Sequence, residues 1–558
     1  MPPPAEPGSL DDVDDGSGQE GAPAAGAWAL PQQFVPTPKP GRRAALKVTI
    51  VAPGSRGDVQ PLLAVAARLR DRGEAVTLAT HRCFRADVER LEGVRFAGVA
   101  GDPRDRRGKS VAEDEEETAE LARQQLADYE CACLGADIVC FNWFGMAGYH
   151  IAEKMDVPCA ALWLVPFSRS RSMECFMMAS PKMEGLRGKL ANTGLQQLKY
   201  ELQTHLLWEE MFWQPFSAHF NARRQRMGLE PLTGGKTPFG EMFKKRVPIA
   251  YGFSNAVLPK PRDWPGHHLV CGYFTEEKWE EGGEGYTPPV RAIAALRARC
   301  HALARTALCL VPRLTRSLGA CGTPRLLPRR VSPQSPSSTS QQDLVDFLAA
   351  GEPPVYLGFG SAVPGDPRGS AMTLLRACKE VGKRVVLLAG LGEGLVADRA
   401  ALEIDGSLPD PDEVYLGDSF VPHGWLLPQC CVAVHHGGAG TTGACARAGV
   451  PTVVCPVEYD QYYWASRAHE LGTAAPPLLP PEGVVEGGSG TRPPALEDAV
   501  AALRGALAPA AASAARRVAC DVRRDEGAAV AAEFVSLFAR QHWARKRVHS
   551  CKVRESYH

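Results

Sequence analysis

The sequence predicts an α/β protein built as two parallel-sheet domains. Three observations carry this reading. At 558 residues the chain is too long for a single core. Two separate series of short β-rich apolar runs alternate with segments of helical spacing. A stretch rich in arginine and empty of Asp and Glu, residues 291–342, parts the two series.

In the first series, residues 47–52 (KVTIVA) form a strand that ends in a Pro/Gly turn. A helix follows over residues 60–72, with Leu62, Leu63, Val65, Ala66 and Leu69 at helical spacing. Residues 74–81, 94–100, 136–143, 157–165 and 247–254 supply further strands, with helical segments between them. The second series runs through residues 353–361, 384–390, 414–420, 432–438 and 451–457. Such alternation implies parallel sheets covered on both faces, with a cleft between two α/β units. The expected limits are a disordered Pro/Gly-rich tail at 1–45, a first domain at 46–285, a basic linker at 286–342, a second domain at 343–530 and a basic tail at 531–558. The linker reads either as a contact for anionic lipid headgroups or as a disordered insertion, or even as translated non-coding sequence. The tail, with its Trp543, reads either as a membrane-surface contact or as a solvated terminal helix.

Composition excludes several classes. Formal net charge is zero, which argues against a nucleic-acid partner. No run of eighteen apolar residues is present, and the first twenty residues lack the basic and apolar regions of a secretory signal. The seventeen cysteines have no framework spacing, and Cys159, Cys431 and Cys455 lie inside apolar runs. Small buried thiols in a reducing compartment fit that pattern, so a cytoplasmic location is expected, peripheral at most on a cytosolic membrane face. Cys131 and Cys133 have no second pair at zinc-site spacing.

The strongest chemical signal is VPHGWLLPQCCVAVHHGGAGTTGACARAGVPTVVCPVEYDQYYWASR, residues 421–467. Within it HHGGAGTT follows a strand and opens a helix. Gly437, Gly438 and Gly440 let the backbone approach a ligand closely. The helix N-terminus offers unpaired N–H groups and a positive dipole end, which suits a diphosphate. His436 can donate to a phosphate oxygen, and Thr441 and Thr442 add hydroxyl donors. Asp460 and Gln461, at the close of the next strand, pair a carboxylate with an amide, a combination that holds vicinal sugar hydroxyls. The plainer alternative is a glycine-rich turn without a ligand.

This stretch resembles the donor-binding signature of UDP-dependent glycosyltransferases of the GT-B fold, and within them the sterol 3-beta-glucosyltransferase branch. The shared segments are Pro422–Cys430, His435–Thr442, Ala448–Pro451 and Asp460–Trp464, together with GSRGDVQP at 54–61, ATH at 79–81, GDP at 101–103, HIAE at 150–153, LPKPRDWPGH…VCGYF between 258 and 274, and GFGS at 358–361. The resemblance covers about residues 46–285 and 343–480. It implies that Ser361 and His436, Gly438, Gly440, Thr441 and Thr442 hold the UDP diphosphate, that Asp460 and Gln461 hold the hexose, and that Phe420 and Val421 flank the uracil. The wider plant family places a ribose-binding Glu eight residues beyond the His; Ala444 stands there, which leaves the ribose contact unassigned.

On the acceptor side, Asp58 stands at the C-terminal end of the first strand, where α/β sheets place ligands, and His150 opens a helix after another strand end. The resemblance implies an acid–base pair with the two close together, either Asp58 as base and His150 as its partner or the reverse. Against this, Asp58 could simply cap a helix and His150 could be a satisfied helix-terminal histidine. His81, at a further strand end, is a weaker candidate. The aromatic run at 206–220 fits an acceptor pocket or plain core equally well. The PFSRSRSM segment at 166–173 departs from the family's acceptor-side loop.

Two other signals carry less. Asp410 and Asp412 have the spacing of a metal-binding Asp-x-Asp but lie in a Pro-rich turn, and the helix end with His436 already suits a diphosphate. No metal or other cofactor is therefore expected. Gly390, Gly392 and Gly394 lack the acidic residue that a nicotinamide site needs. The resemblance implies two Rossmann-like domains facing across a cleft, with the C-terminal chain packing back on the first, and inverting transfer of glucose from UDP-glucose to the 3-hydroxyl of a sterol. Another lipid or secondary-metabolite alcohol is the alternative acceptor, and a non-catalytic nucleotide- or lipid-binding relative is the alternative class. Adjacency of Asp58 and His150, facing His436, would favour an enzyme.

Overall fold

The computed structural model describes residues 44–102, 115–183, 199–275, 341–360, 366–388, 410, 412–417, 421–480 and 492–555. The linker expectation, apart from its last two residues, and the N-terminal tail expectation, apart from Ala44 and Ala45, lie outside those residues.

The first domain is a seven-stranded, all-parallel sheet. It comprises β1 (Lys47–Val51), β2 (Ala75–His81), β3 (Val94–Val99), β4 (Ile138–Phe141), β5 (Cys159–Trp163), β6 (Ile249–Tyr251) and β7 (His268–Val270). Their order in space is β3-β2-β1-β4-β5-β6-β7. The central strand β1 pairs with both β2 and β4, and all but its first residue are buried. Helices cover both faces of such a sheet, so its central strands read as unbroken apolar runs. The helices of this half are α1 (Arg56–Asp71), α2 (Arg85–Glu89), α3 (Glu115–Cys133), α4 (Ala147–Met155), α5 (Tyr200–Arg226) and α6 (Pro238–Lys244).

The second domain carries a five-stranded parallel sheet of order β10-β9-β8-β11-β12. Its strands are β8 (Val355–Gly358), β9 (Val385–Leu387), β10 (Val414–Leu416), β11 (Val432–His435) and β12 (Thr452–Val454). Around them lie α7 (Gln341–Ala349), α8 (Pro367–Glu380), α9 (His423–Leu426), α10 (Ala439–Ala448), α11 (Gln461–Glu470), α12 (Leu496–Leu507) and α13 (Pro509–Val522). One apolar cluster, with Leu374, Val434 and Leu503, fills one side of this sheet, and another, with Phe347, Tyr356 and Leu426, fills the other. Every strand expected from sequence is present. Strand β7 is an addition, short enough to be hidden inside the DWPGHHLVCG segment.

The expected packing of the C-terminal chain back on the first domain is made by α14 (Gly527–Glu555), which begins before residue 530 and buries one face, unlike a solvated terminal helix. This helix returns to the first domain and packs along α1. Its Arg540 meets Glu74 at 2.7 and 3.0 Å, and the Glu74 side chain is 2% exposed. The same carboxylate accepts the backbone N–H of Leu46 at 2.7 Å. Trp543 donates its indole N–H to the carbonyl of Asp137 at 2.9 Å, and Lys546 pairs with Asp156 at 2.6 Å. The helix docks through a buried apolar face, with Ala528, Ala531, Ala532, Val535 and Ala539, and these polar contacts supplement it.

Candidate active site

The site is assembled where the C-terminal edges of the two sheets face one another. On the second domain, β11 ends in His435 and His436, and alternation along a strand sends their rings to different sides. The buried His435 ring accepts the N–H of Gly437 through Nδ1 at 3.0 Å, which ties down the turn beneath. Gly437 has φ +92°, and a Cβ there would stand 2.7 Å from a methyl of Val454. Gly438 caps α10, and a Cβ on it would collide with the His436 ring. The same ring lies beside Gly360, whose Cβ would be 3.3 Å from His436 Cε1. His436 therefore bridges the loops after β8 and β11.

Buried His436 Nδ1 has no partner among the described residues, and burial with nearby His423 lowers the ring pKa to about 4. The ring is neutral at neutral pH, and an anion would be what raises its proton affinity. Around Gly440 there is open space, with no atom within 4 Å of where a Cβ would lie. Thr441 is half-buried, and the buried Thr442 hydroxyl has no partner among the described residues. A glycine turn, a helix N-terminus, an unpartnered imidazole nitrogen and an unpartnered hydroxyl together form an anion cradle suited to a diphosphate.

Asp460 is the N-cap of α11 and accepts the indole N–H of Trp464 on Oδ2 at 2.9 Å. Gln461 is buried, and its side-chain oxygen accepts the N–H groups of Val457 and Glu458 at 2.8 and 3.1 Å. Its NH2 group is left to reach a ligand. Burial raises the Asp460 pKa to about 7, with the charges of Asp58 and Glu458 adding to the shift.

On the first domain, Asp58 sits in the opening turn of α1. Its Oδ2 accepts both the N–H and the hydroxyl of Ser55, each at 2.8 Å. Burial raises the Asp58 pKa to about 6 against these two hydrogen bonds, so the group is a carboxylate of useful basicity at neutral pH. The helix begins at Arg56 with Ser55 as its N-cap, so Asp58 is not the N-cap expected as the alternative but the N3 partner in a capping box.

The expected pairing of Asp58 with His150 is not formed. His150 lies in α4, is 1% exposed, and its Nδ1 accepts from Arg224 Nη1 at 2.9 Å. Arg224 in turn pairs with Glu153 at 2.9 Å. Burial, with the Arg224 charge, lowers the His150 pKa to about 3. The imidazole is held between two helices, α4 and α5, with Nδ1 taken by the arginine and buried Nε2 without a hydrogen-bond partner among the described residues. The group that senses Asp58 across the cleft is Asp460 instead.

Val421 is also corrected: its side chain is buried in the core with Leu344, Phe347 and Tyr356, so it presents no flat surface to a base. Ser361, Phe420 and the glycines at 390, 392 and 394 lie outside the described residues. His81 is the buried last residue of β2. Asp410 and Asp412 are exposed, and Asp410 Oδ1 accepts the N–H of Asp412 at 2.9 Å to close a turn. Among the described residues no group of three or more His, Cys, Asp or Glu could hold a metal ion, and no helix is long and apolar enough to cross a membrane.

The aromatic run in α5 divides between the two readings. Trp208 and Trp213 are core, whereas Phe216 is 44% exposed. Trp208 and Phe212 join Trp143 and Phe167 in one ring cluster, with Trp143 and Phe167 stacked at 3.5 Å. The cluster lies just beyond the C-terminal ends of β4 and β5, where an apolar acceptor would meet the cleft. The loop that follows β5 is pinned through Arg169 to Glu209 at 2.8 and 2.6 Å, and through Met173 to the Tyr463 hydroxyl at 3.3 Å.

Sequence reasoning missed the seam between the domains. Trp464 is buried in the first domain's core, 5.7 Å from the ring of Phe253. Tyr273, from beyond β7, lies on α10 where Gly443 leaves room; a Cβ at Gly443 would be 2.5 Å from two ring carbons. The pairing of a glycine inside a helix with a remote aromatic residue is invisible in one sequence.

Comparison with known proteins agrees with this architecture. The glycosyltransferase family 28 N-terminal domain matches residues 48–170, and the erythromycin biosynthesis protein CIII-like C-terminal domain matches residues 393–532. The chain is similar to the sterol 3-beta-glucosyltransferase of Cryptococcus neoformans var. neoformans serotype D (strain JEC21), 30% identical over 451 residues, which are 77% of this chain and 24% of that protein. The Candida albicans enzyme of the same name is 29% identical over 437 residues, 76% of this chain and 24% of its own. The chain spans about a quarter of the length of these curated relatives. Among solved structures, the calicheamicin glycosyltransferase CalG4 superposes with a TM-score of 0.52 at 16% identity, covering 88% of this chain and 98% of that one. The glycosyltransferase of kitacinnamycin gives 0.51 at 16% identity, over 88% and 99%. These likenesses show the fold: two Rossmann-like domains of the GT-B type. The chain thus has the GT-B fold, with a first domain similar to the glycosyltransferase family 28 N-terminal domain and a second similar to the erythromycin biosynthesis protein CIII-like C-terminal domain.

Proposed function

We propose that this protein transfers glucose from UDP-glucose to the 3-hydroxyl of a sterol with inversion, giving a steryl beta-glucoside. The observation that carries the reading is the facing of two machineries across one cleft: the anion cradle around His436 and α10, and the Ser55-held carboxylate of Asp58. The similarity to sterol 3-beta-glucosyltransferases over 77% of the chain supports the choice of donor and acceptor.

In this mechanism Asp58 takes the hydroxyl proton as the acceptor oxygen bonds to the anomeric carbon. The bond from that carbon to the diphosphate oxygen breaks, and its electron pair leaves with UDP. His436, the N–H groups of the first turn of α10 and the Thr442 hydroxyl stabilise the charge that develops on the diphosphate. Asp460 and the NH2 of Gln461 orient the hexose. The acceptor's apolar body rests on the Trp143, Phe167 and Phe212 rings. No metal is assigned, because the helix end and His436 supply the positive potential. The reaction is placed in the cytoplasm or on a cytosolic membrane face; unpaired cysteines throughout the described residues support that placement.

The test is UDP release from UDP-glucose, with and without sterol and with and without chelator, for the wild type and Asp58→Asn. Sterol-dependent, chelator-insensitive release that Asp58→Asn lowers by about 10²-fold or more is expected. Tight UDP binding without release on any sterol would sink the acceptor assignment. Release abolished by chelator would sink the metal-free mechanism.

A further inference from the structure

We infer that Tyr463 is a positioning residue, which sets the acceptor side of the cleft in register with the hexose-holding pair of the donor side. Asp460 caps α11, Gln461 is its first residue, and Tyr463 follows in the same turn. Helical hydrogen bonds hold these positions at fixed offsets. The helix is at the same time docked on the first domain. Trp464 lies in that domain's core, 5.7 Å from the ring of Phe253, and Arg467 Nε donates to the carbonyl of Val257 at 2.6 Å. The element that carries the donor pair is thus seated against the acceptor half.

A chain of ring contacts leads from Tyr463 to the cluster beyond β4 and β5. The Tyr463 hydroxyl donates to Met173 Sδ at 3.3 Å, and its ring meets Phe176 edge-on at 6.5 Å. Phe176 opens a short 3-10 turn (Phe176–Ala179) and meets Phe167 edge-on at 4.7 Å. Phe167 in turn stacks on Trp143 at 3.5 Å. Polar anchors fix the same loop to its own domain. Ser168 Oγ lies 2.6 Å from the Tyr251 hydroxyl and 2.8 Å from His268 Nδ1, and the Met173 carbonyl accepts from His205 Nε2 at 3.0 Å. Tyr463 adds a contact from the second domain.

Phe167 and Phe176 are both buried, and a packed interior leaves little slack, so a ring that fixes Phe176 also fixes Phe167. A thioether is a weak hydrogen-bond acceptor, so the Tyr463 ring carries more of this than its hydroxyl. Displacement requires the acceptor oxygen about 3–3.5 Å from the carbon it attacks. With the acceptor on the ring cluster and the hexose on α11, loss of the Tyr463 ring costs transfer to the acceptor. Attack by water on the bound donor needs no ring cluster and is spared. This consequence rests on the proposed reaction; the ring contacts do not.

The experiment measures UDP release from UDP-glucose by the full chain, with and without cholesterol, for the wild type, Tyr463→Phe and Tyr463→Ala. Tyr463→Ala is expected to lower cholesterol-dependent release by about 10-fold, with acceptor-free release and the KM for UDP-glucose within about twofold of wild type. Tyr463→Phe, which keeps the ring on Phe176, is expected to restore most of the transfer. An equal loss of both rates, as a merely structural role would give, or no loss of either, would overturn the inference. A second readout is independent of the acceptor: NMR of the chain carrying methyl-13C methionine, with the Met173 signal assigned through Met173→Leu. UDP-glucose is expected to shift that signal in the wild type and not in Tyr463→Ala. No cholesterol-dependent release by the wild type, with a Met173 signal that answers UDP-glucose through Tyr463, would remove the sterol reading and leave the positioning residue standing. Cholesterol-dependent release with a silent Met173, or a shift that persists in Tyr463→Ala, would do the reverse.

Discussion

Replacing Gly443 by alanine separates the local preference of a helix from the demands of the domain seam. Residue 443 lies inside α10, where alanine is favoured over glycine by about 1 kcal/mol. A Cβ there would stand 2.5 Å from Tyr273 Cδ1 and Cε1 and 3.0 Å from Cγ. The ring has little room to give, because Tyr273 is buried at 7% exposure and crosses from the first domain. Overpacking of this kind costs about 1–3 kcal/mol. The net expectation is a loss of roughly 0–2 kcal/mol, the difference of those two effects. Urea unfolding of the two singles and the double with Tyr273→Ala isolates the clash. With the ring removed, Gly443→Ala should stabilise by about 1 kcal/mol, since only helix preference remains. The cycle should then give a coupling of about 1–3 kcal/mol. A coupling within about 0.5 kcal/mol of zero would show that the seam does not depend on this contact.

Two further outcomes are expected. His436→Ala should weaken UDP binding by about 10- to 100-fold, the worth of one charge-assisted hydrogen bond. Because burial holds the free imidazole down near 4 and a diphosphate raises its proton affinity, UDP binding by the wild type should take up protons near neutral pH. Calorimetry in buffers of different ionisation enthalpy reads that uptake, and its persistence in His436→Ala would exclude this ring as the source. Glu74→Ala should destabilise the chain by about 2–3 kcal/mol, less than a fully buried pair because Arg540 is part-exposed. Thermal unfolding measures this loss, and an unchanged midpoint would mean that α14 does not depend on the ion pair.

The sequence by itself determined the layers and the donor edge. Central parallel strands are covered on both sides, so each leaves an apolar run that can be read directly, as residues 47–52 and 432–435 do. The HHGGAGTT turn is equally legible, because glycine, imidazole and hydroxyl at a strand-to-helix junction express one local geometry, seen as the positive φ of Gly437 and the close approach of Gly438 to His436. Partnerships across the chain were decided only in three dimensions. His150 and Asp58 both stand near strand ends, yet Arg224 from a helix more than seventy residues away takes the imidazole. Asp460 reads as a sugar ligand in sequence, but only the structure shows its carboxyl held by Trp464, whose ring is buried in the other domain's core. The last helix reads as a basic tail because its charged C-terminal half hides the buried face of its first half, Ala528, Ala531, Ala532, Val535 and Ala539, which the Glu74 ion pair and one indole hydrogen bond supplement. Periodicity records which face of an element is buried; it carries no record of which distant residue covers it, and the active-site protons depend on that second fact.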